Sequence, residues 1–364
     1  MEYRTNNIAQ FGWNSDGTFI GKSYAKTRRK YEIGDPALLR VLERMLEGTT
    51  RERGIDIIQS ETDVSSEEAG ELFDSLIDRE LLLPADHRNF TEADQWFDKN
   101  WRRALYYHLG TRNMDFADRD VDDPNAVRRE VGATYAETEE APPVFESYDD
   151  QQLHELPDPE PLPNKPLNEV LMARSTNRAF KSNEMSLQDV STVLYHTFDP
   201  VREAREYVAE NAESDPLVHT THSMHLPFDV HLIVARCQDL SPGIYKYSIR
   251  DHALAPVHTD FEDPTTADEA VTETIIGQKW NHGSAFTVYF VARIDRYRWR
   301  YRHPRAFRTL FMDIPTHAHR LILAATAMDY ENFLTPALRN ETVDGHLDVD
   351  GFNEAAIYTV TIGE

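Results

Sequence analysis

Residues 174–180 read Arg174-Ser175-Thr176-Asn177-Arg178-Ala179-Phe180. Two arginines four positions apart, with two hydroxyls between them, make a set that can grip a phosphomonoester. The guanidinium forks pair with its oxygens and the hydroxyls add hydrogen bonds. The same residue types at a helix end also serve as a cluster paired with acidic neighbours, so their meaning depends on what surrounds them. On the N-terminal side, LNEVLMARS (167–175) has the spacing of a short amphipathic helix. On the C-terminal side, Ser186 caps a second helix, SLQDVSTVLYHTF (186–198).

Further out, FDVHLIVAR (228–236), GIYKYSI (243–249) and FTVYFVARI (286–294) predict strands, and AIYTVTIG (356–363) predicts a closing strand. Between the last two lies FRTLFMDIPTHAHRLILAATAMDY (307–330), a helical run too apolar for a surface helix, with an interruption expected near Pro315. Helices and strands alternating around a buried helix indicate an α+β sandwich.

Upstream the pattern differs. PALLRVLERMLEG (36–48) places Leu38, Leu39, Val41, Leu42 and Met45 at a helical period closed by Gly48. SSEEAGELFDSLIDRE (65–80) opens on a serine cap with carboxylates in its first turn and buries Phe73, Leu76 and Ile77. Ile55, Ile57 and Ile58 predict a short helix between them, and Leu81-Leu82-Leu83-Pro84 a short strand. Three helices and a strand in this span read as a winged-helix-like module. Its third helix carries Glu67, Glu68, Glu71, Asp74, Asp78 and Glu80, a face that repels phosphate. A structural role or the binding of a peptide or partner protein fits that chemistry better than DNA. Residues 115–165, with ETEEAPP and ELPDPEPLPNKP, are too polar to bury a core and read as an extended linker or a strap.

The 364 residues carry 63 acidic against 38 basic side chains, a formal charge of -25, and only 8 of the basic residues are lysine. An acidic, lysine-poor surface is expected of a protein adapted to high cytoplasmic salt, where screening removes self-repulsion. The same balance argues against general nucleic-acid binding. The stretch Arg293–Arg308, with seven arginines interleaved with Tyr297, Trp299 and Tyr301, resembles a single-strand-binding pattern when read alone. Against the total charge, pairing with surplus carboxylates or a subunit interface is the better use. Cys237 is the only cysteine, so neither an internal disulfide nor a cysteine-rich metal cluster is expected. No run of about 18 apolar residues occurs and the first residues lack a signal-peptide pattern, so the cytoplasm is the expected location.

The heptad at 174–180 resembles the Arg-x-Ser/Thr-x-Arg/Lys-x-Phe/Tyr opening motif of the nitroreductase family. Three further segments follow in the family's order. Ser223–Val234 stands where the family has its loop and first long strand. Ser241-Pro242-Gly243-Ile244-Tyr245-Lys246-Tyr247, with Asp251-His252-Ala253-Leu254 after it, is similar to the hairpin of its SagB-type (azoline dehydrogenase) branch. Arg300–Arg308 resembles that branch's segment before the long central helix, and WRRALYYHLG (101–110) resembles its preamble.

The resemblance implies a nitroreductase-like sandwich, a mixed sheet flanked by helices, with FMN at the interface of a homodimer. It assigns the phosphate and ribityl chain to Arg174, Ser175, Thr176 and Arg178, and the flavin ring to Thr221, His222 and Met224. The branch oxidises thiazoline and oxazoline rings in ribosomally made peptides to azoles, beside a YcaO-type cyclodehydratase that makes the azoline. Its activity is associated with a Lys-Tyr pair, matched here by Lys246-Tyr247, as a base or a base-assisted phenol. Two departures stand out: Thr220–Met224 is bulkier than the family's small-residue loop, and Pro315-Thr316 replaces Gly-His in the central helix. They keep a flavin-free scaffold in play beside the dehydrogenase, as does an NAD(P)H-dependent nitro or quinone reductase. His219, His222 and His225 have a spacing that meets on one metal only in a helical or looped segment, and no metal is expected. The resulting division is a winged-helix-like module (1–100), an acidic linker or strap (101–165) and an FMN domain (166–364).

Overall fold

Short alternating segments open the chain as strands β1 (Glu2–Thr5), β2 (Gln10–Trp13), β3 (Phe19–Tyr24) and β4 (Arg28–Glu32). The computed structural model describes residues 1–24, 28–112, 114, 116–148 and 152–364, in two compact units, Met1–Phe116 and Ala117–Glu364. In the first unit β2, β3 and β4 form one antiparallel sheet. The helices follow as α1 (Ala37–Arg44), α2 (Arg51–Glu61) and α3 (Ser66–Asp78), with β5 (Thr49–Thr50) before α2 and β6 (Leu82–Pro84) after α3. Strand β1 pairs with both β5 and β6. Val41, Met45, Ile58, Phe73 and Leu76 make the shared core, each burial contributing roughly 1.5–3 kcal/mol. Helix α3 starts with a full capping box: Ser65 accepts from the Glu68 N–H while the Glu68 carboxylate accepts from the Ser65 N–H. A helical hairpin, α4 (Arg88–Phe97) and α5 (Arg102–Thr111), completes this unit.

The second unit begins with α6 (Pro124–Thr138), capped by Asp123, so the segment read as an extended strap contains a helix of 15 residues. Next come β7 (His154–Glu155), α7 (Leu167–Ala173), α8 (Leu187–Asn211) and the short α9 (Val218–Thr221), continued by a single 3-10 turn at 223–225. Helix α8 is longer than its sequence reading, because Val201, Ala204 and Val208 extend the buried stripe past Pro200. Then follow β8 (Phe228–Val234), β9 (Gly243–Ser248), β10 (Ala253–His258) and α10 (Pro264–Thr274). The chain closes with β11 (Phe286–Arg293), α11 (Ile294–Arg300), α12 (Ala306–Ala327), β12 (Glu331–Thr335), α13 (Asn340–Leu347) and β13 (Glu354–Gly363).

Seven strands form one sheet in the order β12-β13-β11-β8-β9-β10-β7. A mixed sheet was expected; every ladder between these strands is antiparallel, and parallel pairing is confined to two single-residue bridges, Thr176 to Asn332 and Met185 to Cys237. Helices α8 and α12 cover one face through Val190, Val193, Leu194, Phe198, Leu310, Ile314 and Leu321. Helices α10 and α13 cover the other through Ala267, Val271, Val343 and Leu347. Covered on both sides, β8 is buried along its whole length and reads as a continuous apolar run. The α+β sandwich is as expected. The interruption at Pro315 is not: α12 runs unbroken from Ala306 to Ala327.

Candidate functional site

Helix α7 ends at Arg174, and the chain leaves it extended. Thr176 bridges to Asn332 of β12, and the Asn177 N–H donates to the Asn332 carbonyl at 2.8 Å. The Asn177 side chain closes a turn onto Ala179, and the Lys181 N–H donates to the Glu364 carbonyl. Pinned to the sheet edge in this way, the heptad presents its side chains from a fixed backbone. Ser175, Thr176 and Arg178 are exposed and Arg174 is half-buried. The Arg178 guanidinium lies 4.7 Å from the centre of the Trp280 ring, a cation–π contact. Among the described residues, no carboxylate pairs with Arg174 or Arg178, and the Ser175 and Thr176 hydroxyls make no hydrogen bond. This donor set fits a phosphate monoester.

The predicted ring-contact residues stand elsewhere. Thr221 and His222 end α9, and Met224 follows in the 3-10 turn. His222 packs against Tyr207 of α8 with ring centres 5.1 Å apart, and the Met224 carbonyl is 3.0 Å from Nε2 of His317 on α12. Met224 is 39% exposed, so its side chain is available to a ligand or a partner. No hydrogen bond or ring contact among the described residues links 174–178 with 221–224. The three histidines of this segment diverge: His219 packs on Trp299, His222 on Tyr207 and His225 on His317.

Lys246 and Tyr247 are neighbours on β9, and strand alternation sends them to opposite faces of the sheet. A tyrosine assisted by the adjacent lysine therefore lacks the side-by-side geometry it requires. Tyr247 is buried with the α8/α12 core, where burial pushes its phenol far up. Its hydroxyl is 2.7 Å from His252 Nδ1, and His252 Nε2 is 2.7 Å from Ser191 Oγ, which donates to the Pro157 carbonyl. With the serine proton committed to Pro157, the imidazole donates through Nε2 and Tyr247 donates to Nδ1. Burial, then the Arg202 charge, lowers His252 to about 4, so the ring is neutral. Lys246, on the other face, is 3.7 Å from Glu146 of the strap and remains partly open.

Glu146 belongs to an ion network in which the arginine-rich stretch finds carboxylates, as expected, although the sequence did not say which ones. Asp229 of β8 accepts from Arg205 at 3.2 Å, Arg296 at 2.8 Å and Arg293 at 2.9 Å. Arg293 also donates to Asp295 and, at 3.1 Å, to Glu146. Burial raises the Asp229 carboxyl, but the three guanidinium groups outweigh it and hold the group well below the usual carboxylate range. The strap is tied in again where Arg296 donates to the Pro143 carbonyl and Trp299 to the Glu139 carbonyl. Several arginines of the 293–308 stretch thus pair with carboxylates and strap carbonyls. The available signal was the surplus of arginine there, but Asp229 and Glu146, which Arg293 meets, lie 64 and 147 positions away from it.

The Nitroreductase family model matches residues 171–364, just over half of the chain. The chain belongs to the Nitroreductase family. The matched region begins within α7 and takes in the heptad, the β8 and β9 strands and the whole of α12. Over nearly its full length the chain is similar to trifolitoxin operon protein TfxC of Rhizobium leguminosarum bv. trifolii: 27% identity, covering 93% of this chain and 94% of that protein. It is also similar to the trifolitoxin-processing protein TfxB of the same organism, with 22% identity over 83% of this chain and 82% of that one. Among solved structures, a chain of the E. coli microcin synthetase McbBCD complex with truncated pro-MccB17 bound shares 16% identity at a TM-score of 0.40, covering 70% of this chain and 98% of that one. No helix of the described residues is long and apolar enough to cross a membrane.

Proposed function

We propose that this family member is an FMN-dependent dehydrogenase that oxidises azoline rings in a ribosomally made peptide to azoles. The observation that carries the cofactor is the pair Arg174 and Arg178, without carboxylate partners, flanking two hydroxyls with no hydrogen bond. The likeness to a trifolitoxin-processing protein supports a peptide substrate. A cyclodehydratase of the YcaO type, which makes azolines, is the expected partner.

Arg174, Ser175, Thr176 and Arg178 would hold the phosphate and ribityl chain. When bound, FMN supplies a hydride acceptor for the azoline ring. The ring must also lose a proton, and the chain has to receive it. Of the Lys-Tyr pair, Lys246 is the partly open member and has Glu146 within reach as a proton partner. Tyr247 acts behind it, fixing the β9–β10 hairpin through His252.

The homodimer reading is supported by exposed apolar side chains on two helices. Leu167, Leu171 and Met172 of α7 and Phe307, Phe311 and Met312 of α12 are all exposed. Helix α7 runs directly into Arg174, so a second copy seated on α7 would lie beside the heptad. That copy is how Thr221, His222 and Met224, remote from the heptad within one chain, would reach a shared flavin.

The test is an absorption spectrum of protein purified in molar salt, for wild type and for Arg174→Ala/Arg178→Ala, with light scattering on the same samples. We expect near one FMN per subunit in a dimer, and loss of the flavin bands in the double variant. Turnover of an azoline peptide without NAD(P)H consumption separates the dehydrogenase from a nitro or quinone reductase. A wild type that stays colourless with added FMN sinks the flavin reading and leaves a scaffold subunit.

A further inference from the structure

The helical hairpin α4–α5 of the first unit encloses a cleft that neither the family match nor the flavin reading uses. Ile8, Ala93, Leu105 and Leu109 line its apolar part. Trp96 forms one wall, with its ring stacked on His108 at 5.9 Å and 15°. Two arginines, Arg88 and Arg112, stand at the mouth with exposed side chains. Among the described residues, neither pairs with a carboxylate, and Glu92 is the only acidic side chain in the lining. Most other arginines of this unit that the structure describes are occupied: Arg40 and Arg44 on Glu61, Arg51 on Asp74, Arg4 over Phe90, Arg79 over Tyr31 and Arg102 over Phe97.

The cleft holds about 160 Å³. Cofactor and drug-sized sites run to about 300–1,000 Å³, so this one takes a side chain rather than a whole ligand. Its chemistry is an apolar, aromatic-walled slot between two free guanidinium groups. A nucleic acid would also meet arginine and tryptophan here, but the repulsion from a chain of charge -25 grows with the ligand's charge, so it is far smaller for a segment with two or three carboxylates than for a polyanion.

We propose that the α4–α5 cleft is a peptide-docking site for an acidic segment, taking one apolar or aromatic side chain between Leu105 and Trp96. Arg88 and Arg112 grip carboxylates on either side of that anchor. Glu92 repels a carboxylate placed on its own side and so sets the direction of the segment. The inference extends the peptide-substrate reading: a segment of the substrate held here raises the effective concentration of the rest of it for the same chain. Its test needs no turnover, so its failure is distinct from failure of the flavin chemistry.

The experiment is fluorescence anisotropy of a labelled synthetic dodecapeptide with three Glu/Asp residues flanking one Phe in a Gly/Ser background, added to the full-length protein. Wild type is expected to bind, and Arg88→Ala/Arg112→Ala to weaken binding by about tenfold or more. Leu109→Trp fills the slot while keeping both charges, and is expected to weaken binding comparably. Both variants should keep the wild-type circular dichroism and flavin content. The proposal is overturned if wild type shows no binding up to about 1 mM peptide, the weak end of useful affinity. It is equally overturned if both variants bind as wild type does, or if a lysine-for-acid peptide or a single-stranded oligonucleotide binds as tightly.

Discussion

His317 shows what burial does to one ionisable group. It faces the sheet from α12, its ring 4.7 Å from Phe228, and its Nε2–H donates to the Met224 carbonyl. Burial, opposed in part by that carbonyl, lowers its pKa to about 4, against about 6.5 for a free imidazole. The native chain therefore refuses a proton that the unfolded chain takes up between those values. Stability is fully present above pH 6.5 and falls as the pH drops towards 4. The loss is on the order of 2–3 kcal/mol for this group. His252 acts in the same direction. Urea titrations from pH 7 to pH 4 should show the decline, and His317→Gln should flatten part of it. An unchanged slope in that variant would assign the acid sensitivity elsewhere. The Lys246-Tyr247 pair is a second lesson at this scale. The dipeptide is plain in the sequence, but a strand's two-residue period separates its side chains, so the two cannot act as one unit.

At the scale of elements, α12 has the most to say. Its apolar composition made it legible as a buried helix, and Pro315 made a break the natural expectation. The structure keeps the helix whole because Ile314, Ala318, Leu321 and Ile322 pack on the sheet on both sides of the proline. Tertiary contact outweighs a lost backbone donor. The neighbouring Thr316 hydroxyl donates to the Asp313 carbonyl, a bond that occupies one acceptor in the disturbed turn. Restoring the N–H should therefore help: Pro315→Ala is expected to raise stability by about 1–3 kcal/mol, read as an upward shift in Tm. A lower Tm would mean that the proline shapes the helix for a contact that a second chain or ligand makes. The strap shows the opposite limit. Its composition excluded a core of its own, yet Val144 and Leu156 are buried and Glu146 reaches the ion network, because a polar segment can still dock on a surface that other elements build.

For the whole molecule the governing quantity is charge. A formal net charge of -25 is a self-repulsion that compact folding concentrates, and salt screens it over about 8–10 Å. The most buried ion pairs, such as those of Asp229, are sheltered from screening, while exposed ones such as Arg51–Asp74 contribute little at any salt. Screening should thus remove more repulsion than attraction. Thermal melts from 0.1 M to 3 M KCl are expected to show Tm rising steadily. A flat or falling curve would mean that the acidic surface is not an adaptation to salt.

Periodicity and caps made most of the sandwich readable, because the strands at β8, β9, β11 and β13 and the helices α1, α3, α8 and α12 are dictated by neighbours a few residues apart. The strands β1 to β4, together with β12 and α13, were not seen, since these segments mix polar and apolar residues without the continuous apolar run that marked β8 and β11. The heptad was visible as chemistry, and so was its place after a helix. What only the tertiary structure decided is which charges are left without partners. Arg178 lies over Trp280, Asp229 draws in three arginines from two other elements and the strand end, and Arg88 and Arg112 remain open. Local order is a property of adjacent residues and is written along the chain. Pairing depends on which distant segments the closed sheet and its helices bring within a few ångströms, and no local pattern records that.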